Sequence, residues 1–402
     1  NEIIESAHGV AEPGLMYWDS MVEYSPDGVY DQFRQVTTNP CSEIGMQAYD
    51  ACRLICVNLI NFVKNPYTAE AEFDFELFYN VNYEAMRLSD NLIDLEIEHI
   101  DRIIAKIESD PEPLMLKSTE LALWKKIRVT ALASRRTGLG FTALGDTLAA
   151  LNLKYDETEA LDATEAIMRV KMKSELDCTI DLAILFGTFE GHSGKKEFEW
   201  EDDVIVGTNT FYDFIAKEFP AQAQLMFTFG RRNVSWSTVA PTGTVSLMAR
   251  TTSGIEPLFQ PFYTRRKKIN PNDDNVRVDF TDQNGDTWQE FAVLHPQFRE
   301  WLLESYTDDD TIGQPEDAPV ELLTALFAKS PWFGCTANDI NWESRVRLQS
   351  TIQKYITHSI SSTVNLPENI STDIVSDIYL EAWKQGAKGI TVYRDGSRSG
   401  VL

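Results

Sequence analysis

The sequence predicts an α/β fold in one large domain. Long segments with apolar residues at three- and four-residue steps, of which residues 73–110 are the clearest, are typical of amphipathic helices. Short β-prone runs separate them: VSWSTVA at residues 234–240, SISSTVNL at 359–366 and KGITVYR at 388–394. Strands that alternate with helices favour an α/β domain. No internal repeat or proline-rich linker divides the 402 residues, so we expect a single domain over residues 1–402.

Helical periodicity recurs along the chain. It predicts further helices over residues 120–134, after the glycines of RRTGLGFTALGDTLAALNL at 135–153, over 157–186, and near 297–304, 320–329 and 342–357.

A β-hairpin is predicted between two of these helices. In VRVDFTDQNGDTWQEFAVL, residues 276–294, two alternating runs flank Asn284-Gly285, a pair favoured at a tight hairpin turn. We place this hairpin in an insertion at residues 270–295. The basic cluster RRKK before it, residues 265–268, is predicted to be a solvated surface patch.

The composition limits the class of partner. The net charge of −26 argues against a nucleic-acid polymer, because binding to a phosphate backbone depends on clustered lysine and arginine. A small anionic ligand is compatible with this charge, since backbone amides can bind phosphate. The sequence shows no bilayer-length apolar run and no signal peptide. We therefore predict a cytoplasmic protein that does not associate with a membrane, located in the host cytoplasm if it is virus-encoded. Five cysteines without the spacing of a disulfide scaffold favour a reducing compartment.

A thiol flanked by an amide and a carboxylate is the most informative local feature. In TTNPCSEI, Pro40 favours an extended Asn39, and we expect Asn39, Cys41 and Glu43 to line one face. A neighbouring carboxylate raises a thiol pKa, which argues against an ordinary nucleophilic cysteine. The thiol is then a candidate hydrogen-atom donor or acceptor, with Glu43 as general base. The alternative is a buried structural cysteine in a turn.

The remaining cysteines and the histidines offer no metal site. Cys52 and Cys56 have C-x3-C spacing, but nothing supplies the other two ligands of a closed zinc site. One of them could serve in redox chemistry only with a partner thiol from elsewhere. Cys178 and Cys335 lie in helical or apolar settings and are predicted to be inert. None of the five histidines pairs with another at the spacing of metal ligands. A reaction that ordinary side chains cannot carry out would therefore need a bound cofactor.

A second candidate site follows the β-prone run at residues 234–240. In APTGTVS, small residues permit close approach to a phosphate, and the hydroxyls of Thr242, Thr244 and Ser246 can add hydrogen bonds. The alternative is an ordinary turn that binds nothing. Neither a P-loop nor a Rossmann glycine pattern is present in the sequence.

Together these stretches resemble the catalytic chain of ribonucleotide reductase, most closely the adenosylcobalamin-dependent class II. The resemblance is carried, in family order, by NPCSEI (39–44), ACRLICVNL (51–59), RRTGLGFTALGD (135–146), APTGTVS (240–246), SGIEP (253–257), HSISSTVNLP (358–367) and KGITVYRDGSRSGVL (388–402). It implies a ten-stranded α/β barrel with a central finger loop. In this chain the barrel would lack its N-terminal strands.

The resemblance also implies roles for the site residues. Cys41 would become a thiyl radical that takes hydrogen from C3′ of the ribose, Glu43 would remove the 3′-hydroxyl proton, and Asn39 would bind the substrate hydroxyls. Cys52 would be one of two thiols that close to a disulfide as the 2′-hydroxyl leaves. Because a radical must be kept from water, we expect the Cys41 thiol to be buried. The resemblance implies phosphate binding by a set of turn residues: Ala240, Pro241, Thr242, Gly243, Thr244 and Ser246.

Partners and cofactor follow from the same resemblance. We expect a ribonucleotide di- or triphosphate as substrate, a thioredoxin-like reductant and, for class II, adenosylcobalamin. The first residues read as mid-domain, and the family's second redox cysteine lies upstream of Asn1. A separate N-terminal fragment that carries this cysteine is therefore predicted. One alternative is a class I chain with a ferritin-like radical-generating subunit, in which Tyr393 would be a radical-path or structural residue. Another is a nucleotide-binding half of a split assembly without turnover.

Overall fold

The computed structural model describes residues 1–51, 53–270, 276–306 and 314–398. Its helices are α1 Glu2–Val10, α2 Trp18–Glu23, α3 Phe75–Ser109, α4 Leu114–Ser134, α5 Leu144–Ala150, α6 Thr158–Phe186, α7 Gly194–Glu197, α8 Thr210–Glu218, α9 Pro220–Phe229, α10 Gly243–Ala249, α11 Pro296–Ser305, α12 Val320–Phe327, α13 Trp342–Gln353 and α14 Thr372–Lys384. Its strands are β1 Leu15–Met16, β2 Thr37–Thr38, β3 Gly45–Met46, β4 Leu54–Asn58, β5 Val63–Lys64, β6 Glu72–Phe73, β7 Gly138–Thr142, β8 Phe198–Glu201, β9 Val204–Gly207, β10 Phe262–Lys268, β11 Phe280–Thr281, β12 Thr287–Leu294, β13 Thr363–Leu366 and β14 Gly389–Arg394.

A run of parallel strands forms the framework of the fold. Strand β4 pairs in parallel with β7, with Leu54 opposite Gly138 at one end and Asn58 opposite Thr142 at the other. Single bridges continue the sheet from β7 to residues 237–239 and from there to Ile360. The chain then runs into β13, which pairs in parallel with β14, and β1 lies antiparallel on the far side of β14.

The two faces of this sheet differ in chemistry. Val57, Leu139 and Ile360 belong to the main apolar core, which also contains residues of α3 and α6. Side chains alternate along a strand, so their neighbours Cys56 and Ser359 point to the opposite face. Parallel sheets are commonly covered by apolar contacts on both faces. The polar side chains on one face of this sheet therefore indicate a functional site on that face.

The long helices agree with their predicted positions, and the strand at the glycines does not. Helices α3 and α6 lie within the predicted ranges, and Asp74 caps α3 by accepting a hydrogen bond from the N–H of Leu77. The sequence predicts only a helix after the glycines of RRTGLGFTALGD, but Gly138 and Gly140 lie in strand β7, and Gly145 lies in α5. The strand lies very close to the neighbouring segment there. A Cβ on Gly140 would approach the carbonyl oxygen of Thr238 to 2.5 Å, so glycine permits this close approach.

The predicted hairpin is present, with a third strand beside it. Strands β11 and β12 pair antiparallel, with Thr281 opposite Thr287, and Gly285 has a positive φ of 82° in the turn. Strand β10, which contains the RRKK cluster, pairs with the other edge of β12. These basic residues are exposed, as predicted, and Arg266 pairs with Glu290 at 2.6 Å. Residues 271–275 of the expected insertion lie outside the described ranges.

The implied closed barrel is not seen. In the part of the chain that the structure describes, the paired strands form an open array from β4 to β1, because β4 pairs with β7 alone and β1 with β14 alone. None of the helices in the described ranges is long and apolar enough to cross a bilayer.

Candidate active site

The thiol motif forms the loop of a small hairpin. Strands β2 and β3 pair antiparallel, and Asn39 closes the loop between them. Its backbone N–H donates to the carbonyl of Ile44 at 3.2 Å, and its side-chain oxygen accepts from the N–H of Ile44 at 3.1 Å. Ser42 adopts a left-handed φ of 63° and donates its N–H to the carbonyl of Asn39. The prediction of an extended segment with three side chains on one face is therefore wrong, because the chain turns at Ser42.

The hairpin is bonded to the polar face of the sheet. The carbonyl oxygen of Glu43 accepts hydrogen bonds from the hydroxyl of Thr238 at 2.7 Å and from the N–H of Ser359 at 2.9 Å. A Cβ built on Gly138 would lie only 3.0 Å from Cδ1 of Ile44. Glycine at this position of β7 thus permits the loop to approach the strand closely.

Cys41 is exposed, which contradicts the expectation of a buried thiol. It occupies the tip of the loop, beyond the bonds that attach Glu43 to the sheet. Neighbouring atoms still remove part of the water around the sulfur. This partial burial, and then the negative charge of Glu43, raise the pKa of the Cys41 thiol.

The Glu43 side chain is buried, and one of its carboxylate oxygens has no partner in the described chain. The residue is 2% exposed, and its Oε2 has no hydrogen-bond partner among the described residues. Burial raises the pKa of the half-buried Cys56 to about 11; Lys171 opposes this rise and Glu43 adds to it. Glu43 therefore lies within electrostatic reach of two thiols, one on the hairpin and one on β4. A buried carboxylate oxygen without a partner is available to accept a proton or a hydroxyl hydrogen.

The other cysteines do not join this group in the described ranges. Cys178 and Cys335 are buried and free, and burial raises the pKa of both thiols, that of Cys335 to about 11. Cys52, predicted as a redox thiol, lies outside the described residues.

The predicted phosphate turn leads from the sheet into α10. Thr242 has a left-handed φ of 52°, and its hydroxyl is used internally: it accepts from the N–H of Gly254 at 2.9 Å and lies 3.2 Å from the hydroxyl of Thr142. The hydroxyl of Ser246 donates to the carbonyl of Gly243. Of the three hydroxyls predicted as phosphate ligands, that of Thr244 is exposed and has no bond within the described ranges. Ala240 and Pro241 complete the turn, and Pro241 is exposed.

A large cavity of about 1270 Å³ opens beside this turn. Gly243, Thr244 and Ser246 lie on its wall, and Tyr393 of β14 faces it from the sheet. Residues 39–43 of the hairpin are not among its lining residues. The structure thus places Tyr393 with the predicted phosphate turn, and Asn39, Cys41 and Glu43 together at a separate hairpin.

The pairing of His295 with Asp146 could not be read from the sequence. Nε2 of His295 lies 2.9 Å and 3.0 Å from the two carboxylate oxygens of Asp146, which is fully buried on α5. The two residues are 149 positions apart, so no local spacing indicates the contact. No group of three potential metal-ligating side chains occurs in the part of the chain that the structure describes.

Comparison with known proteins gives one family. The family model of the ribonucleotide reductase barrel domain matches residues 1–393. The vitamin B12-dependent ribonucleoside-diphosphate reductase of Mycobacterium tuberculosis (strain CDC 1551 / Oshkosh) is 28% identical over 406 residues, covering 100% of this chain and 47% of the relative. A protein of the same name from Thermoplasma acidophilum is 26% identical, covering 99% of this chain and 42% of the relative. The chain thus spans about half the length of the curated relatives it matches.

A solved structure shares the fold. The class Id ribonucleotide reductase alpha subunit of Actinobacillus ureae superposes with a TM-score of 0.60 at 17% identity, covering 98% of this chain and 60% of that subunit.

Proposed function

The chain belongs to the family of the ribonucleotide reductase barrel domain, and from this premise we propose that it carries the radical chemistry that converts ribonucleotides into 2′-deoxyribonucleotides. The observation that carries the proposal is the hairpin, which is bonded to the polar face of a parallel sheet. It holds a cysteine and, two residues on, a buried carboxylate whose Oε2 has no partner among the described residues. Its family relatives include proteins named ribonucleoside-diphosphate reductases, which favours a diphosphate substrate.

In the proposed reaction, a thiyl radical on Cys41 takes the hydrogen atom from C3′ and Glu43 accepts the 3′-hydroxyl proton. The 2′-hydroxyl leaves as water, and a dithiol that includes Cys52 supplies two electrons and two protons and closes to a disulfide. The hydrogen held by Cys41 then returns to C3′. Asn39 would bind the substrate hydroxyls through its amide nitrogen, because its oxygen is already bonded to the N–H of Ile44.

Because Cys41 is exposed here, radical chemistry at this thiol requires a further segment that covers it. We propose that a further segment, supplied as a separate N-terminal fragment with the second redox cysteine, covers the thiol and completes a ten-stranded barrel. The described sheet would be one side of that barrel, in a single domain with an insertion at residues 270–295. A thioredoxin-like reductant would reopen the disulfide, and the cytoplasm would supply the reducing conditions.

The large cavity has room for a whole nucleotide. Its volume of about 1270 Å³ exceeds the ~300–1000 Å³ of common small-molecule sites. Leu258, Phe259 and Tyr263 provide apolar wall, and Tyr393 provides a hydroxyl. Because its wall includes the predicted phosphate turn, we assign this cavity to the nucleotide. Several relatives are named vitamin B12-dependent, so we propose adenosylcobalamin as the cofactor of the working protein. When bound, it would supply the initiating radical by homolysis of its cobalt–carbon bond.

Two alternatives remain distinct in their tests. A class I chain would receive its radical from a ferritin-like subunit, with Tyr393 on the path, and would show no hydrogen exchange between solvent and the 5′-carbon of adenosylcobalamin. The exposed Cys41 favours a second alternative, a nucleotide-binding half without turnover of its own.

The decisive experiment compares wild type with Cys41→Ala, each supplied with the N-terminal segment, by deoxyribonucleotide formation. We expect Cys41→Ala to abolish turnover and Cys335→Ala, a buried cysteine outside the site, to preserve it. Equal turnover of wild type and Cys41→Ala would remove the catalytic proposal.

A further inference from the structure

His295 is fixed at the wall of the large cavity. It precedes α11, and its backbone N–H donates to the carbonyl of Pro261 at 2.8 Å. Its ring is bonded through Nε2 to both oxygens of the buried Asp146. The side chain is 12% exposed, and His295 is among the residues that line the cavity.

This contact determines which ring atom is open to a ligand. A carboxylate can only accept, so the hydrogen between the two side chains lies on Nε2 of His295. Nδ1 has no hydrogen-bond partner in the described ranges. The ring therefore presents one nitrogen for a ligand while Asp146 fixes its orientation, an arrangement that enzymes use to position an imidazole.

The wall beside His295 contains a second group without a partner. Thr251 is 7% exposed, its hydroxyl oxygen is buried and unbonded among the described residues, and it lines the same cavity. Its N–H donates to the carbonyl of Ser246, and the next residue, Thr252, donates its N–H to Asp146 at 2.7 Å. The backbone thus links the phosphate turn, the unbonded hydroxyl and the His295–Asp146 pair.

The described lining of the cavity contains few basic side chains. Arg398 and His295 are the basic side chains among the lining residues of the described chain, and Arg398 bonds to Glu12. Glu256 is matched by Arg345 outside the lining. Apart from Arg398 and His295, a phosphate in the cavity would meet hydroxyls, side-chain amides and backbone amides of the described lining.

We propose that His295, held by Asp146, is a further substrate-binding residue that donates from Nδ1 to a phosphate oxygen, with the Thr251 hydroxyl as a second donor. In the complex the ring carries a proton on both nitrogens and forms a cation between Asp146 and the phosphate. The inference rests on the proposed function in taking the ligand to be a ribonucleotide; the chemistry it requires is a phosphate group.

Titration calorimetry of the chain supplied with the N-terminal segment tests the proposal with three ligands: a ribonucleoside diphosphate, the same nucleoside without phosphate, and pyrophosphate. Loss of a charge-assisted hydrogen bond should weaken binding of the diphosphate and of pyrophosphate to His295→Gln by about 10-fold or more. Binding of the nucleoside should be unchanged. His99→Gln, which alters an exposed histidine of α3, should bind all three ligands as wild type does.

The outcomes separate the inference from the function. Equal affinity of wild type and His295→Gln for the diphosphate overturns the inference and leaves the reductase proposal intact. Binding of pyrophosphate that depends on His295, without binding of any ribonucleotide, supports the phosphate site and overturns the function. Binding of none of the three ligands by wild type overturns both. Should His295→Gln fail to fold, ring-nitrogen NMR of the wild type decides: one histidine must respond to the diphosphate and not to the nucleoside.

Discussion

The backbone N–H of Ser359 donates a hydrogen bond of 2.9 Å to the carbonyl oxygen of Glu43. The two residues are far apart in sequence, and the bond attaches the thiol hairpin to the extended segment that continues into β13. The hydroxyl of Thr238 lies 2.7 Å from the same carbonyl and 3.0 Å from the carbonyl of Ser359. Thr238 and Ser359 therefore fix the backbone of Glu43, and with it the position of its carboxylate.

Thr238→Val should loosen this attachment. The substitution keeps the shape of the side chain and leaves a buried carbonyl with one donor fewer, which costs about 1–2 kcal/mol in the free energy of unfolding. Urea denaturation measures the change, and Thr238→Ser, which keeps the hydroxyl, should lose much less. Equal losses for the two variants would show that the methyl group, rather than the hydroxyl, matters at this position.

Gly140→Ala should destabilise the sheet where the strands are closest. A Cβ at this residue would lie 2.5 Å from the carbonyl oxygen of Thr238, so the strands would have to separate, at a cost of about 1–3 kcal/mol. Gly9 in α1 is the matched control, because no atom lies within 4 Å of its added Cβ. Gly9→Ala should be neutral or stabilising by up to about 1 kcal/mol. Thermal or urea unfolding of both variants checks the contrast, which an unchanged Gly140→Ala protein would contradict.

His358 should make the fold sensitive to acid. Burial, and then the positive charges of Arg136 and Lys388, hold the pKa of this histidine well below its ordinary value. Near pH 6 the unfolded chain binds a proton at His358 that the folded chain does not bind. The free energy of unfolding therefore falls as the pH drops below about 6.5. The slope contributed by one such group is at most about 1.4 kcal/mol per pH unit.

The acid effect is measured as the free energy of unfolding of wild type and His358→Gln between pH 5 and 8. His358→Gln should lower stability at neutral pH, because the ring hydrogen bonds with the carbonyl of Thr137 at 3.0 Å, but should flatten the acid slope. His99→Gln, at an exposed site, should keep the wild-type slope. A slope that persists in His358→Gln would assign the sensitivity to other groups.

The sequence anticipates local structure better than contacts between distant segments. The periodicity that predicts α3 and α6 arises from their packing against the core, and Asn284-Gly285 determines its own turn. Strand β7 was not predicted, because its alternating glycines carry no apolar pattern and have their reason in the neighbouring strand. The contact between His295 and Asp146 depends on the fold of the whole chain.

At the site itself, the effect of Glu43 on the Cys41 pKa is easier to predict than the geometry. Glu43 lies beside the Cys41 thiol and raises its pKa, in the direction the sequence predicts. The extended conformation was wrong because the left-handed Ser42 reverses the chain, a conformation that only weak preferences indicate in a serine. The exposure of Cys41 depends on what covers the hairpin tip, and residues 39–44 carry no information about that.

Glu43→Gln should make Cys41 react faster with an alkylating agent. Partial burial and the Glu43 charge both raise the pKa of this thiol, and the substitution removes the second cause while nearly preserving size. The pKa should fall, the thiolate fraction at pH 8 should rise, and alkylation by iodoacetamide should accelerate several-fold. Mass spectrometry of the Cys41 peptide measures the rate, and the buried Cys178 in the same sample should stay unmodified in both proteins. If Cys41 instead reacts more slowly in Glu43→Gln, the carboxylate acts as a base toward the thiol, and the assignment of Glu43 as its electrostatic suppressor is wrong.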